Sequence, residues 1–262
     1  ARRRPRVPPV RLPREVEQAA RGRGRTAPNP NVGCVIVQGG RVVGRGWTQP
    51  GGRPHAEAMA LAEAGEAARG ATVYTTLEPC AHVSPRGPAC ADLLPAAGVA
   101  RVVAAMVDPD PRTAGQGLAR LADAGVTVEA EVRAADARTS MAGFLTRQAL
   151  GRPSVTLKLA TSLDGAIALA DGRSRWITGA EARAHAHLER SRHEAILVGR
   201  GTWDTDAPRL DVRLMGLEDR LPRRIVLSSR RPRADGHDAV TWIDRPEAVA
   251  DLAGVDHLLV EG

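Results

Sequence analysis

Aromatic residues are scarce: one Tyr, one Phe and four Trp leave the 262-residue chain with 2% aromatics. A core built from it must be aliphatic, drawn from the Ala, Val and Leu that dominate its 43% hydrophobic content. The scarcity also removes the stacking side chains that single-stranded nucleic-acid binders interleave with their basic residues. Lysine is rarer still: Lys158 is the only one, so the positive charge is nearly all arginine. With abundant Ala and Gly, this reads as a GC-rich coding bias. There are three cysteines, Cys34, Cys80 and Cys90. So small and odd a number does not suggest a disulfide framework and points to a reducing compartment. No apolar run reaches transmembrane length, no signal-peptide core is visible, and an Arg-rich, Ser-poor start makes a poor transit peptide. The expectation is a soluble, cytoplasmic protein without a membrane partner.

The net charge of +7 invites a nucleic-acid reading, but its location argues against one. Residues 1–25 hold nine arginines (Arg2, Arg3, Arg4, Arg6, Arg11, Arg14, Arg21, Arg23 and Arg25) against Glu15 and Glu17, which accounts for the whole surplus. Residues 1–25 are therefore expected to form a solvated basic arm, with a short helix possible only over Glu15–Ala20, and no nucleic-acid partner is expected.

From residue 26 the pattern becomes orderly. Val32–Gln38 is an apolar run closed by Gly39-Gly40, and Arg41–Trp47 follows, which predicts a hairpin. His55–Arg69 is Ala-rich and helical, with Pro54 as a first-turn proline. A strand over Ala71–Leu77, a helix over Pro88–Ala97, a strand over Val99–Val107, a helix over Gly117–Ala124 and a strand over Val126–Val132 complete an α/β sandwich over residues 26–150. A break falls at Gly151-Arg152-Pro153, after which a second α/β unit fills residues 151–262. Its strands are expected at Val155–Leu159, Ala195–Val198, Arg224–Leu227, Val240–Ile243 and His257–Val260, and its helices at Ala180–Arg192 and Pro246–Ala253. There is no internal repeat.

Chemistry concentrates in the first unit. His55-Ala56-Glu57 stands at a helix start, Thr76-Leu77-Glu78-Pro79-Cys80 at a strand end, and Cys90 follows. One imidazole and two thiolates supply three ligands, and a catalytic zinc keeps its fourth position for water. Zinc lowers the pKa of that water toward neutrality, and an unligated carboxylate beside it, Glu57, can move protons from water to a leaving amine. Cys80 is expected in a turn entering a helix, where free N–H groups favour a thiolate. A His-x-Glu followed by Pro-Cys and a second Cys is the signature of zinc nucleobase deaminases, although two residues separate the cysteines there and nine do here. Each piece alone is weak, since a surface His and Glu or a buried Cys is commonplace. The ordered combination is not. Cys34, inside an apolar strand, reads as core.

In these segments the chain resembles the bifunctional riboflavin biosynthesis family, a pyrimidine deaminase fused to a 5-amino-6-(5-phosphoribosylamino)uracil reductase. The resemblance rests on Thr26–Gly33, His55-Ala56-Glu57, Tyr74–Cys80, His82 and Asp108–Pro111 in the first half. In the second it rests on Lys158–Gly165, Ser174–Thr178, Ile196–Gly199 and Val260–Gly262. It implies a cytidine-deaminase-like three-layer α/β/α domain followed by a dihydrofolate-reductase-like α/β domain. It also explains the wide cysteine loop. Water would replace the 2-amino group of a 2,5-diamino-6-ribosylamino-4(3H)-pyrimidinone 5′-phosphate, and hydride from NADPH would then open the ribose to a ribityl chain. The resemblance assigns His55, Cys80 and Cys90 to zinc and Glu57 to catalysis. Asn29 would hold the ring, and His82, Arg86 and Asp108 would meet the ribosyl phosphate end. In the reductase half, Lys158, Ser174, Arg190, Leu210, Arg213 and Glu261 match substrate positions, and Ala160, Trp176, Thr202, Asp206 and Ser229 match cofactor positions. Plainer readings stand beside several of these: turn chemistry for Asn29, core packing for Trp176 and Leu210, a solvated helix face for Arg190. Lys158 in an apolar strand is expected to face a cleft or an anion on physical grounds alone. Family members are oligomers, which implies a homo-oligomer.

Three departures from the family pattern carry expectations. Thr48 stands where the family usually has His, which removes a substrate contact. The Cys80–Cys90 loop is one residue longer, with Ser84-Pro85-Arg86-Gly87 at its centre, which alters the phosphate contact. The family continues beyond Glu261-Gly262 into a Gly-rich turn, a helix and further strands, so the reductase domain is expected to be incomplete, and a chain ending at a buried strand is expected to leave an unpaired sheet edge. The rival readings are a monofunctional deaminase with an inactive reductase half and a nucleic-acid base deaminase. The second would need a basic, aromatic-bearing groove, and the sequence offers none.

Overall fold

A computed structural model describes residues 13–262 apart from Val83, Arg175 and residues 231–239. Arg2, Arg3, Arg4, Arg6 and Arg11 of the expected basic arm lie outside the described residues. The chain divides into two compact units, Ala1–Leu145 and Thr146–Gly262.

In the first unit a five-stranded sheet has the order β2-β1-β3-β4-β5. Strands β1 (Gly33–Gln38) and β2 (Arg41–Trp47) form the expected hairpin, turning through Gly39 and Gly40, whose φ angles of 56° and 79° suit glycine. Strand β3 (Thr72–Thr75) pairs antiparallel to β1, and β4 (Arg101–Ala104) and β5 (Thr127–Glu129) continue parallel to β3. Helices α2 (Ala56–Ala64), α3 (Cys90–Ala96) and α4 (Gln116–Asp123) pack together on the face of Cys34 and Ile36. Helices α1 (Pro13–Gly22) and α5 (Ala134–Ser140) meet on the other side. The result is three layers. Helix α2 can lie close because it is rich in alanine and because β2 offers glycine beneath it. A Cβ on Gly44 would stand 2.2 Å from the Ala60 carbonyl oxygen, and one on Gly46 would stand 2.0 Å from that of Ala56.

Helix α1 corrects the arm reading. From Pro13 the segment is no solvated arm but a helix laid on β1, so close that a Cβ on Gly33 would meet the Glu15 carbonyl oxygen at 1.9 Å. Glu15 and Ala19 are buried beneath it. A carboxylate in a first helical turn gains up to about 1 kcal/mol from the helix dipole. Burial outweighs this and pushes the Glu15 carboxyl up to about 7. The folded chain therefore holds that proton more tightly than the unfolded chain does. The associated stability is complete below pH ~4.5 and is lost as pH rises through ~7, by about 1–3 kcal/mol. Glu15→Gln is expected to be more stable than the parent at pH 8 by that amount, and indistinguishable from it near pH 4.5. Urea denaturation at the two pH values measures the difference.

The second unit holds a parallel sheet of order β6-β10-β7-β8-β9: Ser154–Lys158, His257–Glu261, Ala195–Gly199, Arg223–Leu227 and Val240–Ile243. Strand β10 lies inside this sheet, not at its edge. It pairs with β6 on one side and β7 on the other. Helix α6 (Ala142–Leu150) leads into β6, helix α7 (Ala180–Arg190) precedes β7, and the short α8 (Arg200–Asp206) follows it. The segment expected as a helix from Pro246 is a 3-10 helix over Pro246–Asp251. One core cluster lies on each face of the sheet, around Leu197, Ile225 and Leu258, and around Ile196, Val226 and Leu259. Among the described residues no helix is long and apolar enough to cross a membrane.

Candidate active site

His55 stands at the N-cap of α2 in an extended conformation (φ −72°, ψ 162°), and Glu57 follows in the first turn. Pro54 precedes this cap and so stands outside the helix. The His55 Nδ1 atom lies 3.5 Å from Cys80 Sγ and 3.5 Å from Cys90 Sγ. These three form the one group of potential metal ligands among the described residues, and their ligand atoms all lie within 4.8 Å of one another. Bonds of about 2.3 Å from sulfur and about 2.0–2.1 Å from imidazole nitrogen to a tetrahedral zinc hold those atoms about 3.5 Å apart, so the residues fit the metal. Cys34 is buried in the core and is no part of the group.

The two sulfurs are not equivalent. Cys90, not Cys80, opens a helix, but its free N–H reaches back to Cys80 Sγ at 3.3 Å. Hydrogen bonding from Cys90, reinforced by His55, pulls the Cys80 thiol down to about 4. The Cys90 N–H adds a smaller share to this pull, and Cys80 is not itself at a helix entry. Cys90, bonded to Cys80 and buried, is pushed up. Glu57 is 3% exposed, accepts a hydrogen bond from Cys90 Sγ at 3.4 Å, and lies 3.5 Å from Thr75 Oγ1. Burial pushes its carboxyl up, against the pull of His55.

Asn29 closes a local turn and also reaches the metal-ligand group. Its backbone N–H closes a turn to Thr26, and its side-chain Nδ2 donates to the Gly52 carbonyl (3.1 Å) and lies 3.3 Å from His55 Nε2. Arg86, on the exposed wide loop, donates to the Gly51 carbonyl at 2.9 Å and so ties that loop to the turn which Asn29 touches. The loop closes on itself through a bridge between Ser84 and Gly87. His82 Nδ1 lies 3.5 Å from Thr113 Oγ1. Asp108 is buried, which pushes its carboxyl up to about 6. Thr48 is buried in a backbone role, its Oγ1 accepting the Val32 N–H at 3.0 Å.

The second unit gathers only part of its expected set. Arg190, at the end of α7, makes a two-pronged ion pair with Glu261 (2.9 and 2.7 Å) and donates to the Asp211 carbonyl at 3.1 Å. Its side chain is only 14% exposed, so it is no solvated helix face. Lys158 ends β6 in register with Glu261, and Arg213 pairs with Asp211 at 3.3 Å. Leu210 is core, packed around Ile196 and Val226, though its backbone takes a left-handed φ of 52°, a conformation that non-glycine residues hold at a cost. A cavity of about 550 Å³ opens at the ends of β7, β8 and β9 and is lined by Arg200, Ser228, Ser229, Arg230 and Asp244. Ligands of parallel sheets bind at such carboxyl ends. Of the expected cofactor positions only Ser229 lines it. Thr202 and Asp206 lie on α8, while Ala160, Ser174 and Trp176 lie on the segment between β6 and α7. Trp176 is 72% exposed with the Arg183 guanidinium 4.6 Å above its ring, and so is not core.

Residues 10–106 match the family described as the cytidine and deoxycytidylate deaminase zinc-binding region, and residues 153–262 match the RibD C-terminal domain. The chain is 44% identical over 270 residues to the riboflavin biosynthesis protein RibD of Escherichia coli K12, covering 94% of this chain and 73% of that protein. It is 48% identical over 204 residues to the RibD of Haemophilus influenzae, covering 78% of this chain and 55% of that protein. Its fold is similar to the crystal structure of a diaminohydroxyphosphoribosylaminopyrimidine deaminase/5-amino-6-(5-phosphoribosylamino)uracil reductase from Thermotoga maritima, with TM-score 0.83, 33% identity, and coverage of 96% of this chain and 79% of that one. Acinetobacter baumannii RibD gives TM-score 0.78 at 37% identity, with the same coverage of both chains. The chain belongs to the RibD family of riboflavin biosynthesis enzymes, with a zinc-type deaminase domain followed by a reductase domain.

Proposed function

We propose that His55, Cys80 and Cys90 hold zinc and that Glu57 carries the protons of a hydrolytic deamination, with the diaminopyrimidine ribotide named above as substrate. The observation that carries this is the pair of 3.5 Å separations from one imidazole nitrogen to two sulfurs, with a buried carboxyl beside them. Zinc held there would lower the pKa of a water toward neutrality. Glu57 would take one proton from the attacking water and pass it to the ring nitrogen beside the carbon that gains the oxygen, then carry the remaining hydroxyl proton to the departing amino group, so that ammonia leaves as the carbonyl forms. Asn29 orients the ring from beside His55, and His82, Arg86 and Asp108 line the side toward the ribosyl phosphate.

In the second unit, Lys158, Arg190 and Glu261 lie at the ends of β6, α7 and β10, and Arg213 lies in the loop beyond α8 against His187 of α7, so that a phosphorylated ribosyl group would find cations in Lys158, Arg190 and Arg213. The cavity with Arg200, Arg230 and Ser229 suits a phosphate-bearing dinucleotide, so NADPH is the expected hydride donor. Homo-oligomerisation is supported by the apolar Val155 and Leu157 of β6 and Leu159 just after it, all exposed.

Ammonia release from the ribotide, followed with and without a zinc chelator, tests the deaminase. The purified chain should hold about one zinc, and chelation or Cys90→Ser should abolish release. Full activity without metal would end this reading. NADPH oxidation on adding the deaminated product tests the reductase in the same samples, and no oxidation would confine this chain to deamination.

A further inference from the structure

Glu78 has no place in the chemistry above, yet its carboxylate is among the most fully engaged groups in the first unit. It is buried, and it accepts four backbone N–H groups from a segment 30 to 40 residues away: Asp108 (3.1 Å) and Gly115 (2.9 Å) on one oxygen, Gly117 (2.8 Å) and Leu118 (3.1 Å) on the other. Its own N–H donates to the Met106 carbonyl at 3.0 Å. The residue therefore pins the strand exit Thr76–Cys80 to the start of α4 and to the loop that carries Asp108 and Thr113. The fit is close, since a Cβ on Gly117 would stand 1.9 Å from the Pro79 carbonyl oxygen. Two residues beyond Glu78 is Cys80, and Thr113 lies against His82.

We propose that Glu78 is a positioning residue that fixes the Cys80 ligand and the Asp108–Thr113 wall as one piece. The inference rests on the zinc reading above. Groups one step behind a metal ligand set its orientation, and their loss typically weakens metal binding roughly 10–100-fold. Glu78 acts through the backbone in the same way. Its carboxylate takes four donors, whereas the amide of Glu78→Gln keeps one oxygen and turns an NH2 group toward two of them.

The test measures zinc affinity of the full chain by competition with a chromophoric chelator, the visible spectrum of the cobalt-substituted protein, and thermal stability of the metal-free protein. Folded Glu78→Gln should bind zinc roughly 10-fold or more weakly than the parent and show an altered cobalt spectrum. Glu78→Asp, which keeps the charge but not the reach, should fall between the two. A folded Glu78→Gln with zinc affinity within about twofold of the parent and an unchanged cobalt spectrum overturns the proposal, whatever happens to its melting temperature. Failure of both variants to fold also counts against it, by making Glu78 a determinant of the fold alone. If the parent itself binds no zinc, the reading of His55, Cys80 and Cys90 fails instead.

Discussion

Glu57→Gln is expected to retain zinc and to lose deamination by roughly 10²–10⁴-fold, the usual contribution of a positioned proton carrier. Glutamine fills the same volume, and its one oxygen can accept from Cys90 while its NH2 group faces the Thr75 hydroxyl. It cannot accept and release a proton. Glu57 is suited to that exchange because its burial holds the carboxyl above the ordinary carboxylate range, so it keeps a proton more readily than a surface carboxylate would. The loss should fall on kcat more than on KM, because the interaction removed is one made in the transition state. Ammonia release and zinc content measured on one preparation decide the point. A variant that deaminates at the parent rate removes Glu57 from the mechanism. One that loses its zinc makes Glu57 a support of the metal site instead.

Gly46→Ala is expected to cost roughly 3 kcal/mol or more and to impair the site it does not touch. The added methyl would stand 2.0 Å from the carbonyl oxygen of Ala56, a backbone atom in the first turn of α2. A flexible side chain could rotate away, but a helix start cannot. Relief requires α2 to lift from β2, and α2 carries His55 at its cap and Glu57 in its first turn. A helix displaced by even part of an ångström would spoil the 3.5 Å separations to the two sulfurs. Denaturation midpoint and zinc affinity should therefore fall together. A variant as stable as the parent, with zinc bound normally, would show that α2 can shift freely. The site would then owe its geometry to the wide cysteine loop.

Much of this was legible because the signals are local. Gly39-Gly40 between two apolar runs marks the hairpin, and His-Ala-Glu before an alanine-rich stretch marks α2 and two of its functional groups. The order of His55, Glu57, Cys80 and Cys90 carries the metal chemistry without coordinates. What escaped is non-local or weakly patterned. Glu78 sits in plain view before Pro79-Cys80, but its partners lie 30 to 40 residues further on, and no periodicity announces them. Helix α8, Arg-Gly-Thr-Trp-Asp-Thr-Asp, is poor in helix formers and owes its form to its place after β7. Helices α5 and α6 went unread because the Ala-, Thr- and Ser-bearing stretch between residues 134 and 150 shows little apolar contrast. Cys80 was placed at a helix entry because Pro-Cys suggests one, whereas the helix waits until Cys90 and only its N–H reaches back. Leu210, matched to a substrate position by the resemblance, is buried in a core cluster, as its plainer reading has it.

The interior position of β10 has a consequence for how the protein is made. In the first unit the hairpin closes within a few residues and each later strand adds at an available edge. In the second, β6 and β7 are never neighbours. They are bridged only by β10, and its His257 pairs with Ser154 about 100 residues upstream, a separation that slows folding. On a ribosome the deaminase half can fold and take up its metal while β6 waits unpaired and the β7 to β9 strands stand apart from it. Pairing of His257–Glu261 with both then joins the two pieces, so the first unit is expected to gain its fold before the second sheet closes around β10.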